Sequence, residues 1–344
     1  MLALAAGVTL VLILRPHRGP GLAQPPAPRS QCPGEHSYGE HGEHGQDCRF
    51  PGPASTGAPA SVSLRAVPGQ VSSGPGWSYD PAAGIVNVTG DGSVLSGLAI
   101  DGTLNITASH VTVTDDRITA AGNFGISLRH TADVTIEDST ISGQNATTGR
   151  VSYAIDDIYG DSTGTVITRN DIADWRVGIN ATSGQITGNY IHDPGFITGD
   201  HTDGIYDQGG TGQLTISGNT VLNSLGQTCA IMLESVPGQP VANKTISGNL
   251  LAGGGYVIYA GGARGDSSHI VITGNRFGRQ YYPDSGRYGP VAQFQPDGTG
   301  NAWSRNVWNR HAQLAAIRLS QVTGAVMAPG QRGPGRSKPS WSKH

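Results

Sequence analysis

Short alternations of apolar and polar residues recur along this chain, and each runs into the same kind of turn. Ile186–Ile191 reads ITGNYI, Leu214–Val221 reads LTISGNTV, Lys244–Leu251 reads KTISGNLL and Ile270–Phe277 reads IVITGNRF. An apolar residue is followed three positions later by Asn, and two positions further by another apolar residue. VITRNDI at Val166–Ile172 is a close relative, and TIEDSTI and TVTDDRI upstream are weaker copies. Alternation at period two in Val, Ile and Thr predicts strands. No stretch of the repeat region carries the stripe of an amphipathic helix.

Aligning the Asn position gives Asp116, Ser139, Asn170, Asn189, Asn219, Asn249, Asn275 and Asn306, spaced by 19 to 31 residues. Repeats of this length signal stacked units. A second strand recurs in each unit, as GISL at Gly125–Leu128, AID at Ala154–Asp156, GIN at Gly178–Asn180, GIY at Gly204–Tyr206, AIM at Ala230–Met232 and VIY at Val257–Tyr259. Strands this short bury no face alone. Coiled and stacked in parallel, they share one continuous core and are stable as an array. The expected fold is therefore all-β, a right-handed parallel β-helix forming a single solenoid of roughly eight to ten rungs. Asn tolerates left-handed backbone angles, and its amide can bond the next Asn in the stack. A structural Asn ladder is expected.

Composition supports this. Gly is abundant, at 52 of 344 residues, but lacks the strict period three of collagen. The Val, Ile and Leu strands exclude a disordered chain. A net charge of −3 leaves no basic footprint for nucleic acid.

The ends differ from the middle. Leu2–Leu14 is an apolar run too short to span a bilayer, and Gly21-Leu22-Ala23 offers a small-x-small cleavage site. Residues 1–23 are expected to be a signal peptide, although no Lys or Arg precedes the run. The reading is secretion without stable membrane insertion, with an anchored form as the alternative. Residues 24–60 read as a Pro/Gly/His-rich linker. Within it Cys32 and Cys48 flank His36, His41 and His44, a pattern open to one disulfide or to metal binding. The β-helix is expected over 61–325 and a disordered basic tail over 326–344. Cys229 falls in a strand and is expected to be buried.

A β-helix presents one side chain per rung in the same column, which suits an extended polymer. Aligned on their Ile, the second strands place Ser127, Asp156, Asn180, Tyr206, Met232 and Tyr259 in one outward column. A second column holds Phe124, Tyr153, Val177, Asp203, Cys229 and Tyr256. Trp175, Arg176, His201, Asp203 and Gln227 then gather at one corner of adjacent rungs. The densest polar stretch is Gly199–Gln208. There His201 suits proton transfer near neutral pH, as a base or as its orienter, with Asp203 as its carboxylate partner. Arg176 could neutralise a uronate carboxylate and acidify the C5 proton. Tyr206 or Tyr259 could return a proton. Trp175, Asp156, Asn180, Asp207, Gln227 and Tyr259 are the expected substrate contacts. Asp156, Asp157 and Asp161 are oxygen ligands of a kind that holds Ca²⁺, and equally ordinary turn residues. No other cofactor is expected. His192-Asp193 reads as loop. The loop carrying Arg287 and Tyr288 either stacks on sugars or caps the solenoid.

At these residues the chain resembles the pectate-lyase-like superfamily of right-handed parallel β-helix proteins, over about residues 75–310. The phrases nearest to exported bacterial members are NYIHD at Asn189–Asp193, HTDGI at His201–Ile205, GGGYVIY at Gly253–Tyr259 and NRFG at Asn275–Gly278. The resemblance implies a carbohydrate-active fold. Polygalacturonases in that superfamily carry Asn-Thr-Asp-Gly and, one rung on, Asp-Asp-Cys. Here His201-Thr202-Asp203-Gly204 and Gln227-Thr228-Cys229 stand at those places, so Asp203 and Cys229 match and both later aspartates are replaced.

The leading expectation is a polysaccharide lyase acting on an extended, uronate-containing polymer as a monomer. The alternatives are a glycoside hydrolase using Asp203 with Asp207 or Asp156, and a non-catalytic binding solenoid.

Overall fold

The computed structural model describes residues 50–236, 238–264, 267–309 and 315–316. Across them short strands coil into three sheets, labelled A, B and C, with eleven, eleven and nine strands. One coil passes through all three: Gly184–Thr187 in sheet C, Tyr190–Ile191 in sheet A and Asp203–Asp207 in sheet B. The next coil pairs with it in parallel, placing Ile186 opposite Ile216, Ile191 opposite Val221 and Ile205 opposite Ile231. This is a parallel β-helix, and the nine strands of sheet C mark nine coils, within the expected range.

The register explains the apolar half of the repeat. Ile136, Ile167, Ile186, Ile216, Ile246 and Ile272 form one inward stack from sheet C. Ile126, Ile155, Ile179, Ile205, Ile231 and Ile258 form another from sheet B, all fully buried. Each such side chain contributes about 1.5–3 kcal/mol by leaving water. The Gly or Ala before the sheet-B Ile has a separate cause. A Cβ on Gly178 would come within 2.9 Å of Ile191 Cγ2, so sheet A packs there against bare backbone.

The turn from sheet C to sheet A carries the predicted ladder. Asn189 Nδ2 and its backbone N–H both donate to Asn219 Oδ1, at 3.0 and 2.9 Å. Asn219 does the same to Asn249, and Asn249 to Asn275. Each amide also donates to a carbonyl one coil back, as Asn219 Nδ2 to Ile186 O at 2.8 Å. The left-handed backbone, however, belongs to the residue before each Asn. Gly188, Gly218, Gly248 and Gly274 have φ of 63–67°, and Asp115, Asp138, Arg169 and Arg305 take the same conformation at 45–57°. Gly adopts it without a Cβ penalty, which explains the Gly-Asn pair.

The ladder begins with a carboxylate. Asp116 Oδ1 accepts the Leu98 N–H at 2.7 Å, whereas Asp116 Oδ2 is buried without a partner. Burial raises its pKa from 3.8 to about 7, against the lowering effect of the Leu98 N–H. Between those values the folded chain holds a proton that the unfolded chain has lost, so stability falls as pH rises from about 4 to 7. Asp116→Asn supplies the amide found elsewhere in the ladder. It is expected to raise stability by roughly 2–4 kcal/mol at pH 8 and to add little at pH 4. Urea midpoints at the two pH values measure this, and an equal gain at both would show that the carboxyl charge is not the cause.

An antiparallel hairpin, Trp77–Asp80 with Ile85–Val88, extends sheet B at the N-terminal end. At the other end Val307–Asn309 pairs antiparallel with Ala315–Ala316. The last part of the segment expected as linker, 50–60, lies along sheet A. Arg276 sits over the Phe50 ring at 5.5 Å, the Gly57 N–H donates to Arg169 O at 2.9 Å and the Ala58 N–H to Thr140 Oγ1 at 3.1 Å. The segment expected as a signal peptide, the Cys32–Cys48 region with its His residues, and the tail 326–344 lie outside the described residues. No helix among the described residues is long and apolar enough to cross a membrane.

Candidate functional site

The strap on sheet A leaves sheet B as the face on which the longest turns converge. Strand pairing aligns Tyr153, Val177, Asp203 and Cys229 in one column, and Ser127, Asp156, Asn180, Tyr206, Met232 and Tyr259 in another. The columns read from the repeat are thus the columns of the molecule. Turns from sheet A to sheet B form one wall above them, and turns from sheet B to sheet C form the other.

One wall is braced by an ion pair. Arg150 donates from Nε and Nη2 to both oxygens of Asp200, at 2.6 Å each, with both side chains largely buried. Asp200 also accepts the Ile197 N–H at 2.8 Å. This fork joins two turns and sets the position of the adjacent His201, which is exposed at the cleft rim.

The cleft itself encloses about 590 Å³. His201, Gln227, Arg287 and Tyr288 line one side, Glu234 and Ser235 the other, with Met232 and Tyr259 in the floor. Tyr206 donates its hydroxyl to Glu234 Oε2 at 3.4 Å. Burial, and then the charges of Glu234 and Asp203, push the Tyr206 hydroxyl well above its usual range, so it stays protonated. Tyr259 shifts the same way, through burial first and then its neighbours, including Asp203. Asp203 is buried and accepts from Cys229 Sγ at 3.1 Å. Burial and the Asp203 charge keep that thiol protonated. Asp203 opens its strand and Glu234 directly follows the next one, Cys229–Leu233, so the two carboxylates stand at opposite ends of neighbouring strands.

Several expected roles change. Asp203, the expected carboxylate partner of His201, accepts from Cys229 Sγ, while His201 stands exposed at the rim. Arg176 is stacked over the Tyr153 ring at 4.6 Å, one rung from Asp203. Trp175 is fully buried and bonds Ile172 O through Nε1, because its position points into the core; it cannot touch substrate. Asp207 follows outward-facing Tyr206 on an alternating strand, so it faces the lumen, fully buried against Lys244 Nζ at 3.3 Å. Asp156 and Asn180 occupy the outward column, buried and bonded to each other at 2.5 Å. Burial lifts the Asp156 pKa to about 6, although the Asn180 bond opposes the shift. Gln227 and Tyr259 remain in the cleft as expected.

The Ca²⁺ set comes apart for the same reason. Asp156 and Asp157 point to opposite faces of one strand; Asp157 accepts from Ser162 Oγ at 2.8 Å, and Asp161 from His130 Nδ1 at 2.6 Å. Among the described residues no group of three His, Cys, Asp or Glu side chains could hold a metal ion.

Glu234 and Arg287 are the cleft residues that motif reading passed over as a pair. Alternation could have found Glu234, since Met232 faces out, Leu233 in and position 234 out again. The fold and the cleft together define a parallel β-helix with a polar lateral groove. No family model matches the chain, and no curated protein or solved structure matches it either.

Proposed function

We propose that the protein is an exported carbohydrate-active enzyme that cleaves an extended polysaccharide lying across sheet B, by hydrolysis with Asp203 and Glu234. The observation that carries this is the pair of carboxylates at opposite ends of neighbouring strands, Asp203 opening one and Glu234 following the other, with the Tyr206 hydroxyl donated to Glu234 at 3.4 Å. Glycoside hydrolysis needs an acid and a base or nucleophile on two sides of the bond. The pair expected from sequence, Asp203 with Asp207 or Asp156, is replaced by Asp203 with Glu234. The pectate-lyase-like phrases support a polysaccharide as substrate.

Elimination from a uronate polymer is the second reading. It is favoured by Arg287 and His201 on one wall and by protonated Tyr206 as proton donor. The products separate the two. Incubation with neutral and uronate polymers is expected to release reducing ends without new ultraviolet absorbance. Unsaturated products absorbing near 235 nm would select elimination, and no product from any polymer would leave the binding solenoid.

A further inference from the structure

A second cleft of about 670 Å³ opens between the turns from sheet B to sheet C. Tyr206 lines it, and the same Tyr206 hydroxyl bonds Glu234 of the first cleft, so the two clefts meet at the proposed point of cleavage. Their chemistry differs. Tyr159 lines the second cleft and is about half exposed, at 53%. Its ring is held in place from two directions. His130 stacks on it at 4.2 Å with the planes 4° apart, and Arg129 Nη1 donates to its hydroxyl at 3.4 Å. His130 is in turn fixed by Asp161 at 2.6 Å.

The remaining lining is hydroxyl, amide and bare backbone. Thr163, Thr182, Thr211 and Gln208 face the space, and Gly209 and Gly210, at φ of 94° and 86°, carry no side chain into it. Among the described residues lining it, Asp161 is the one charged group. The lining offers a carboxylate-bearing sugar no cationic partner, since Arg129 reaches it only through the Tyr159 hydroxyl and Asp161 is held by His130, whereas an uncharged sugar ring meets a fixed aromatic face and polar partners.

We propose that the Tyr159 cleft is a subsite for uncharged sugar units on one side of the bond cleaved. This deepens the proposed hydrolysis and rests on it for the position of that bond. The substrate is then a polysaccharide with neutral residues on the Tyr159 side, whatever the Arg287 cleft accepts on the other.

The test is calorimetric titration of the full chain carrying Glu234→Gln, so that turnover is slowed, with hexasaccharides of galactan, arabinan and xylan and with hexagalacturonate. At least one neutral hexasaccharide is expected to bind. Adding Tyr159→Ala is expected to weaken it about tenfold, while Tyr159→Phe keeps it within about twofold. Hexagalacturonate binding is expected to be insensitive to Tyr159. No neutral binding, an unchanged affinity in Tyr159→Ala, or an equal loss for hexagalacturonate would each overturn the subsite. Tyr159-dependent neutral binding in a protein whose wild type cleaves nothing would overturn hydrolysis and leave the subsite standing.

Discussion

Asn219→Ala is expected to destabilise the β-helix by roughly 3–5 kcal/mol, a cost that the equally bonded Asn249 should share. Asn219 Oδ1 is the acceptor for both the N–H and the amide of Asn189, and its own amide serves Ile186 O and Asn249 Oδ1. Alanine leaves the Asn189 donors and the Ile186 carbonyl short of partners in a fully buried turn. A buried group stranded in this way costs about 1–3 kcal/mol, and several are stranded together. Asn219→Asp keeps the acceptor but loses the donor and buries a carboxylate, as already occurs at Asp116. It is expected to fall between wild type and alanine at pH 5 and to approach alanine at pH 8. Denaturant unfolding at both pH values measures the series. An Asn219→Ala cost below about 1 kcal/mol would show that water replaces the ladder bonds.

Glu234→Gln is expected to lower kcat by about 10²–10⁴-fold on whichever polymer is cleaved, with a much smaller change in KM. The substitution keeps size and an acceptor for the Tyr206 hydroxyl but removes the charge and the proton-carrying group. Asp203→Asn is expected to act in the same direction, with a further effect on stability because Cys229 donates to that carboxylate. Tyr206→Phe is expected to cost less, about tenfold, if the hydroxyl orients Glu234 and does not itself transfer the proton. Steady-state rates beside unfolding midpoints check all three. Near-normal turnover in Glu234→Gln would sink the carboxylate-pair mechanism; a loss in Tyr206→Phe exceeding that in Glu234→Gln would move the reading toward elimination.

Much of the fold is legible along the chain, because its causes are local. Strand alternation, the Gly-Asn turn and the Gly/Ala-Ile pair each repeat within about thirty residues, and a solenoid needs little else to specify its register. The columns through Asp203 and Tyr206 follow directly from that repeat. The site was less legible. Glu234 belongs to no recurring phrase, so only its outward position after Met232 marks it. Trp175 and Asp207 sit in polar or turn-like surroundings in sequence, yet the alternation of their strands sends both inward. Lys244 begins one of the clearest repeat phrases and is nevertheless a buried cation, bonded to Thr182 O at 2.7 Å and to Asp207 at 3.3 Å.

By itself the sequence determined the coil, the ladder and the two outward columns, since each depends on side-chain period and turn chemistry that neighbouring residues carry. Tertiary structure decided which polar groups meet. The turns between sheets vary in length from coil to coil. Their packing brings Arg150 to Asp200 across fifty residues, Arg287 to the rim opposite Glu234, and Tyr159 to a cleft beside Tyr206. Those encounters depend on how loops of unequal length fold back over one regular face, and no periodicity along the chain encodes that.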